Sequence, residues 1–246
     1  MKVFNNDKKS TMKTKLTLIA LVLTAILTLK AYSQGEIREV PAFTEISLRI
    51  SATVHLIQGE QQKVEIEARG SVLEQLITEV SGRALVIRFP ARTLLNRSFD
   101  TGKIDIYITA PEINALNISG SGNILAKGSW NTRIMDLNVS GSGSIYVDQL
   151  NAERVKSVIS GSGDIVIKDG KKADEFSGTV SGSGNIRASG YEATHVTVRI
   201  AGSGNCHIHT NGSLNARIAG SGNVYYSGNP NLDTSIAGSG KVLNRN

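Results

Sequence analysis

Three histidines and the single cysteine lie close together in the sequence, at His195, Cys206, His207 and His209. Imidazole and thiolate groups are the usual ligands of zinc. Apolar and polar residues alternate here, so His207 and His209 face outward on either side of Ile208. No column of carboxylates accompanies them, which indicates solvated surface histidines, and no metal site is predicted. Cys206 takes a position that Ile or Val fills elsewhere, which predicts a small buried apolar side chain rather than a reactive thiol.

Paired carboxylates are the groups that glycoside hydrolysis requires. Asp148 and Asp169 lie five and six residues after the nearest Gly-Ser-Gly triplets, so they are not expected to share one outer column. The remaining candidates are scattered along the chain: Asp136, Asp164, Asp174 and Glu175. The triplet serines recur without a matching His or Asp, and no phosphate-binding Gly-x-x-x-x-Gly-Lys-Ser/Thr motif is present. We therefore predict no catalytic residue, no cofactor and no enzymatic activity.

The elements that position these residues are set by a repeat. Gly-Ser-Gly occurs seven times, at spacings of 21, 20, 21, 20, 18 and 18 residues. A tight corner requires a backbone that glycine reaches without a Cβ clash. We assign a structural corner role to the two glycines of every triplet: Gly120, Gly122, Gly141, Gly143, Gly161, Gly163, Gly182, Gly184, Gly202, Gly204, Gly220, Gly222, Gly238 and Gly240.

The residues around each triplet alternate with a period of two, which is typical of strands with one buried face. Two positions before the first glycine stand Ile118, Val139, Ile159, Val180, Ile200, Ile218 and Ile236. Two positions after the second glycine stand Ile124, Ile145, Ile165, Ile186, Cys206, Val224 and Val242. A unit this short cannot bury its own apolar face and must stack on its neighbours. The sequence therefore predicts an all-β parallel β-helix, with short polar side chains such as Asn185 forming a ladder after the corners.

Other repeat folds do not fit this pattern. A β-propeller blade needs about 40 or more residues, and a calcium-binding β-roll needs nine-residue units that carry Asp. A flexible glycine-serine linker would not place Ile and Val at fixed offsets.

The segment before the triplets, residues 34–111, also alternates but lacks the corners. We interpret it as irregular N-terminal strands and first coils that cover one end of the stack, in the same domain as the regular coils of residues 112–246. Residues 72–80 fit either a helical turn or an irregular strand. Residues 91–100 form a loop whose role the pattern does not assign.

The N-terminal residues 1–33 have the character of a secretory signal peptide. Lysines precede an apolar run over residues 16–29, which is too short to span a membrane, and small residues follow. The start is either Met1 or Met12. Of the formal charge of +6, the first 33 residues contribute six lysines against one aspartate, so the remainder is nearly neutral. We therefore expect an exported protein, periplasmic or at the cell surface, with no nucleic-acid partner and no membrane span after cleavage.

The composition supports a folded chain. The 246 residues are 40% hydrophobic and 20% charged, with 25 Gly but only 5% aromatic residues. This is too apolar for a disordered chain, and Ile, Val, Leu and Ala must form the core.

The export pattern, the strands ending at residues 104–111 and the repeated Ser/Ala-Gly-Ser-Gly-Asn/Asp-Ile units together resemble the head-GIN domain family, described as "putative auto-transporter adhesins" of Bacteroidetes-type bacteria. The likeness covers roughly residues 40–243. It implies a right-handed β-helix with an adhesin-like role and brings no catalytic residues.

The expected function is accordingly that of a non-enzymatic binding module whose partner is a surface glycan or protein of unknown identity. The alternative is a structural scaffold that self-associates through its coil ends as a homo-oligomer. A carbohydrate-processing enzyme is the third and least favoured possibility.

Overall fold

The structure, a computed structural model, describes residues 34–91 and 100–246. The predicted signal peptide and most of the loop at residues 91–100 lie outside the described residues. The described part contains twenty strands and one short helix, α1 (Gly70–Leu73). The first strands are β1 (Gln34–Ile37), β2 (Glu45–Leu48), β3 (Thr53–Gln58), β4 (Lys63–Ala68), β5 (Ile77–Ser81), β6 (Ala84–Arg88) and β7 (Asp105–Ala110). The segment at residues 72–80 thus holds both the end of a helical turn and the start of a strand.

The remaining strands alternate with the Gly-Ser-Gly corners. They are β8 (Ala115–Gly120), β9 (Asn123–Asn131), β10 (Ile134–Gly141), β11 (Ser144–Asn151), β12 (Arg154–Gly161), β13 (Asp164–Gly170), β14 (Ala173–Gly182), β15 (Asn185–Gly202), β16 (Asn205–His209), β17 (Ser213–Gly220), β18 (Asn223–Ser227), β19 (Asn231–Gly238) and β20 (Lys241–Asn244). β15 is long because it crosses from one side of the molecule to the other.

The strands form two sheets that the chain visits in turn. In the regular coils, the strand before each corner belongs to sheet B and the strand after it to sheet A. Equivalent strands of successive coils pair in parallel and in register; for example, Val139 pairs with Ile159 and Ile145 with Ile165. The predicted parallel β-helix, or β-solenoid, is confirmed.

The core lies between the two sheets as one continuous set of columns. Ile124, Ile145, Ile165, Ile186, Cys206 and Val224 are all fully buried at the same position of successive coils. The sheets face each other across this core: a Cβ on Gly178 of sheet B would come within 3.3 Å of Ile186 and 3.6 Å of Cys206, both in sheet A. Each such aliphatic side chain contributes about 1.5–3 kcal/mol by burial.

The N-terminal segment is wound differently from the regular coils. The coil β2–β3 lies between β8–β9 on one side and β6–β7 on the other, so spatial order and chain order differ. Beyond β6 and β7 the pairing becomes antiparallel, with β5 against β6 and β4 and β1 outside β7. These antiparallel strands and α1 close this end of the stack.

Candidate binding face

All fourteen glycines of the triplets lie at the corners between a sheet B strand and a sheet A strand. The first glycine of every triplet has a positive φ, from 122° to 132°, which an L side chain rarely adopts. The second glycine is required for another reason. A Cβ on Gly163 would clash with the carbonyl oxygen of Gly143 in the preceding coil and with Val139, at 2.6 Å. The corners thus fix how closely successive coils stack.

A polar ladder follows the corners, as predicted. The side-chain amide of Asn185 donates to Asp164 Oδ1 at 2.9 Å, and that of Asn205 donates to Asn185 Oδ1 at 3.0 Å. Asn223 continues the ladder, and its Oδ1 accepts from the backbone N–H of Lys241 at 3.1 Å. These bonds tie each coil to the next and align the outward-facing positions beside them.

Two positions after each ladder residue in the sequence, the outward side chains of sheet A form a continuous row, which we call the outer column. All of its members are half-buried or exposed, and in spatial order they are Tyr107, His55, Leu125, Tyr146, Val166, Arg187, His207, Tyr225 and Leu243. Parallel pairing in register places consecutive members about 4.8 Å apart. Aromatic residues and Arg are the types enriched in protein interfaces.

Two pairs of neighbouring rings in the outer column stack, one towards each end of the rod. His207 and Tyr225 lie 4.5 Å apart between ring centroids, at an interplanar angle of 24°, and the guanidinium of Arg245 lies 5.0 Å from the Tyr225 centroid. Burial lowers the pKa of His207, and the nearby charges of Arg187 and Arg245 lower it further. This end of the column therefore combines a neutral imidazole with two cationic side chains.

The opposite end of the outer column is anchored by a carboxylate. Asp105 lies 3.1 Å from His55 Nε2 and 2.8 Å from Lys103 Nζ. Burial alone would raise the pKa of Asp105, but hydrogen bonds from Lys103 and His55 hold it below its ordinary value. His55 also stacks on Tyr107, with 4.9 Å between centroids. The ring positions are fixed by these contacts, so little side-chain entropy remains to be lost on binding.

A shallow depression of about 280 Å³ lies beside the middle of the outer column. It is lined by Leu125, Tyr146, Lys127, Asp148 and Lys168, together with Ala126. The depression therefore combines an aromatic ring and an aliphatic side chain with three charged groups, a suitable mixture for orienting a polar ligand.

Asp148 is held ionised rather than poised for acid catalysis. Lys168 Nζ lies 2.6 Å from its Oδ1, and this hydrogen bond is the main reason that the pKa of Asp148 is lowered. The backbone N–H of Gly128 and the charge of Lys127 act in the same direction. A general acid requires a raised pKa.

Asp169 is not a partner for Asp148. In the pairing of β11 with β13, Asp169 is opposite Gln149 rather than Asp148. Its carboxylate accepts a hydrogen bond from the backbone N–H of Gly170 at 2.7 Å. The two candidate carboxylates therefore do not form a catalytic pair in the described geometry.

The three histidines considered as metal ligands, His195, His207 and His209, do not all lie on one face. His207 and His209 lie in sheet A, whereas His195 lies on the sheet B half of β15. His195 Nδ1 is 3.0 Å from Ser213 Oγ, and His209 Nδ1 is 2.7 Å from Ser227 Oγ.

Cys206 is fully buried in the sheet A column that Ile and Val fill in other coils. Burial raises the pKa of its thiol to about 12, so the thiol stays protonated and unreactive at neutral pH.

Sequence reasoning placed His207 outward but missed the outer column, because it aligned only the inward positions from coil to coil. Tyr146, His207 and Tyr225 all stand three residues after the second glycine of a triplet, so the same counting would have found them. His55 and Tyr107 carry no such signal, since their place depends on the non-sequential pairing of β3 with β7.

Comparison with known proteins identifies the family. The protein-family model with the description "Putative auto-transporter adhesin, head GIN domain" matches residues 42–230. The chain belongs to this family. No curated protein matches it. Within the described residues, no helix has the length and apolar character needed to cross a membrane.

Three solved structures from Bacteroidetes have a similar shape. A "putative adhesin" from Bacteroides fragilis has 21% identity and a TM-score of 0.79, over 87% of this chain and 97% of that chain. A "putative lipid binding protein" from Parabacteroides distasonis has 25% identity and a TM-score of 0.74 over the same shares. A "putative adhesin" from Parabacteroides merdae has 20% identity and a TM-score of 0.68, again over 87% and 97%. These likenesses support the solenoid fold of the head-GIN chain.

Proposed function

We propose that this head-GIN protein is an exported, non-enzymatic adhesin-like module that binds a surface glycan or protein through the outer face of sheet A. The observation that carries the proposal is the outer column, an ordered row of aromatic, aliphatic and cationic side chains along a rigid rod. Each contact at one coil is weak, but contacts repeated along the rod act together. Membership in a family named for adhesins supports an exported or cell-surface location.

The other faces of the solenoid fit this role less well. The outward position next to the corner in sheet B is filled by small side chains: Ser119, Ser140, Ser160, Ser181, Ala201, Ala219 and Ala237. Small side chains offer little contact area, whereas Tyr and Arg dominate measured binding energies. Further from the corner, sheet B also carries outward arginines such as Arg199 and Arg217, but no described strand of sheet B holds an outward Tyr, Phe or Trp. Sheet A is therefore the side with aromatic anchors.

The test is binding of the purified chain to a glycan array and to intact cells. Tyr146→Ala should weaken binding roughly tenfold, because Tyr146 lies in the middle of the outer column and lines its depression. Val158→Ala is the matched control, since Val158 is also outward-facing and half-buried but lies in sheet B, and it should leave binding unchanged.

Three results would contradict the proposal. Equal losses of binding for the two variants would contradict the assignment of the binding face to sheet A. Binding to phospholipid vesicles but to neither glycans nor cell-surface proteins would indicate lipid binding, the activity in the name of the Parabacteroides distasonis relative. Turnover of a polysaccharide that is abolished by Asp148→Asn would make the chain an enzyme. Fractionation of the producing cells tests export separately, because a chain retained in the cytoplasm cannot act at the surface.

A further inference from the structure

The last coil that the structure describes, β19–β20, presents apolar interior positions to solvent. Leu232 and Ile236 are 49% and 43% exposed, whereas Leu214 and Ile218, at the same positions one coil earlier, are 1% and 2% exposed. Every residue of β19 is exposed. Exposed edge strands with apolar side chains are pairing sites unless something covers them.

The opposite end of the rod does not offer a matching surface. There the stack ends on antiparallel strands, with β1 outermost in sheet A and β5 outermost in sheet B. A head-to-tail contact would set the eight residues of β19 against the five of β5, which runs the opposite way, and β20 against β1, which runs the same way. The two sheets could then not continue in one pairing mode or register. Between copies of this chain, the favourable contact is therefore tail to tail.

The β19 strand is complementary to itself in an antiparallel arrangement. A two-fold axis through Thr234 would place Leu232 opposite Ile236 of the second copy, so that exposed apolar positions meet. Across the core, the same axis would pass near Leu243 in β20, because both residues lie three to four positions from the corner glycines. Both sheets can thus continue across one axis.

Charge at the rim limits the strength of this contact but does not block it. Asp233 is already paired with Arg217, at 3.1 Å. Lys241 and Arg245 would approach each other across the axis in sheet A, and both are exposed, so salt can screen their repulsion.

The area of the end coil fits a weak, reversible interface. With eight residues in β19 and four in β20, about 3.3 Å per residue and about 10 Å of depth per sheet, it is on the order of 400 Å² per copy. The total of about 800 Å² is below that of a standard stable interface, so a weak dimer is expected.

We propose that two copies of the chain associate tail to tail through β19 and β20 into a closed two-fold dimer. Because the axis passes through both sheets, the two sheet A faces lie on the same side of the longer rod. This inference stands apart from the proposed binding function, since it rests on the end coil alone.

The test is sedimentation equilibrium of the full chain, purified without a tag at its C-terminal end. A monomer–dimer equilibrium that strengthens with added salt is expected. Ile236→Asp should shift the dissociation constant upward at least tenfold. Ile57→Asp is the matched control: Ile57 is 48% exposed but lies on the outer face of β3, so its dimer should persist. Circular dichroism checks that both variants retain their strands.

A second variant keeps the proposal testable if Ile236→Asp unfolds. Thr234→Cys places thiols on the two-fold axis and should form a covalent dimer on mild oxidation, whereas Thr197→Cys, on the outer face of sheet B, should not. A monomer at all concentrations, polymers larger than two, or a dimer broken by Ile57→Asp and not by Ile236→Asp would each overturn the proposal.

Discussion

Replacing Ile165 by Asp should be among the most destabilising single changes in the chain. Ile165 is 0% exposed and packs in the sheet A column between Ile145 and Ile186. The change removes about 1.5–3 kcal/mol of apolar burial. It also buries a carboxyl group that has no partner there, which costs at least as much again even when the group is protonated. We expect a loss of about 4 kcal/mol or more in the free energy of unfolding, measured by urea denaturation followed by circular dichroism.

The matched control is Val166→Asp, one residue further along β13. Val166 faces outward between Tyr146 and Arg187, so the new carboxylate stays solvated and lies near a cation. Its expected cost is below about 1 kcal/mol. Similar losses for the two variants would refute the assignment of inward and outward positions, and with it the alignment of the coils on which the outer column depends.

Of two further predictions, one concerns the corners and the other concerns Asp105 in β7. Gly163→Ala should lower the free energy of unfolding by about 1–3 kcal/mol, because the added Cβ would meet the backbone of the preceding coil. Gly70→Ala is the control and should cost little, since there is open space around Gly70. The two variants are compared by their urea midpoints, and equal midpoints would refute the corner role. Because the pKa of Asp105 lies below its ordinary value in the folded chain, its stabilising effect should be complete above about pH 5 and disappear as the pH falls below about 4. Asp105→Asn should remove this part of the pH dependence, and an unchanged profile would contradict it.

The regular coils could be predicted because their information is local. Each corner and its flanking Ile or Val residues repeat within about twenty residues, so period and offset alone define the columns. The N-terminal winding could not be predicted this way. Nothing near β2 or β3 indicates that β6 and β7 return to pair outside them, since that order depends on contacts between distant segments. The antiparallel closure by β1, β4 and β5 is hidden for the same reason.

In the candidate site, too, the features set by the repeat could be predicted and those set by contacts between strands could not. Tyr146 and Tyr225 stand at a fixed offset from the corners, and their shared face follows from the register that the repeat imposes. The lowered pKa of Asp148 could not be read from the sequence, because the carboxylate meets Lys168 only when β11 and β13 pair. The counting of positions could separate Asp148 from Asp169, but it could not show that Asp148 pairs with Lys168 or that Asp169 accepts from the Gly170 N–H.

The symmetry of the proposed dimer restricts what kind of partner it can hold with both halves. A two-fold axis across the rod presents the outer column twice on one side, and the order of its side chains is reversed in the second copy. A single directional chain, such as one polysaccharide strand, would therefore meet Arg187, His207 and Tyr225 in opposite orders in the two halves. It could match only one of them well. Avidity from both halves requires two separate ligands on the same surface, so dimerisation should strengthen binding to a densely displayed ligand far more than to the same ligand in solution.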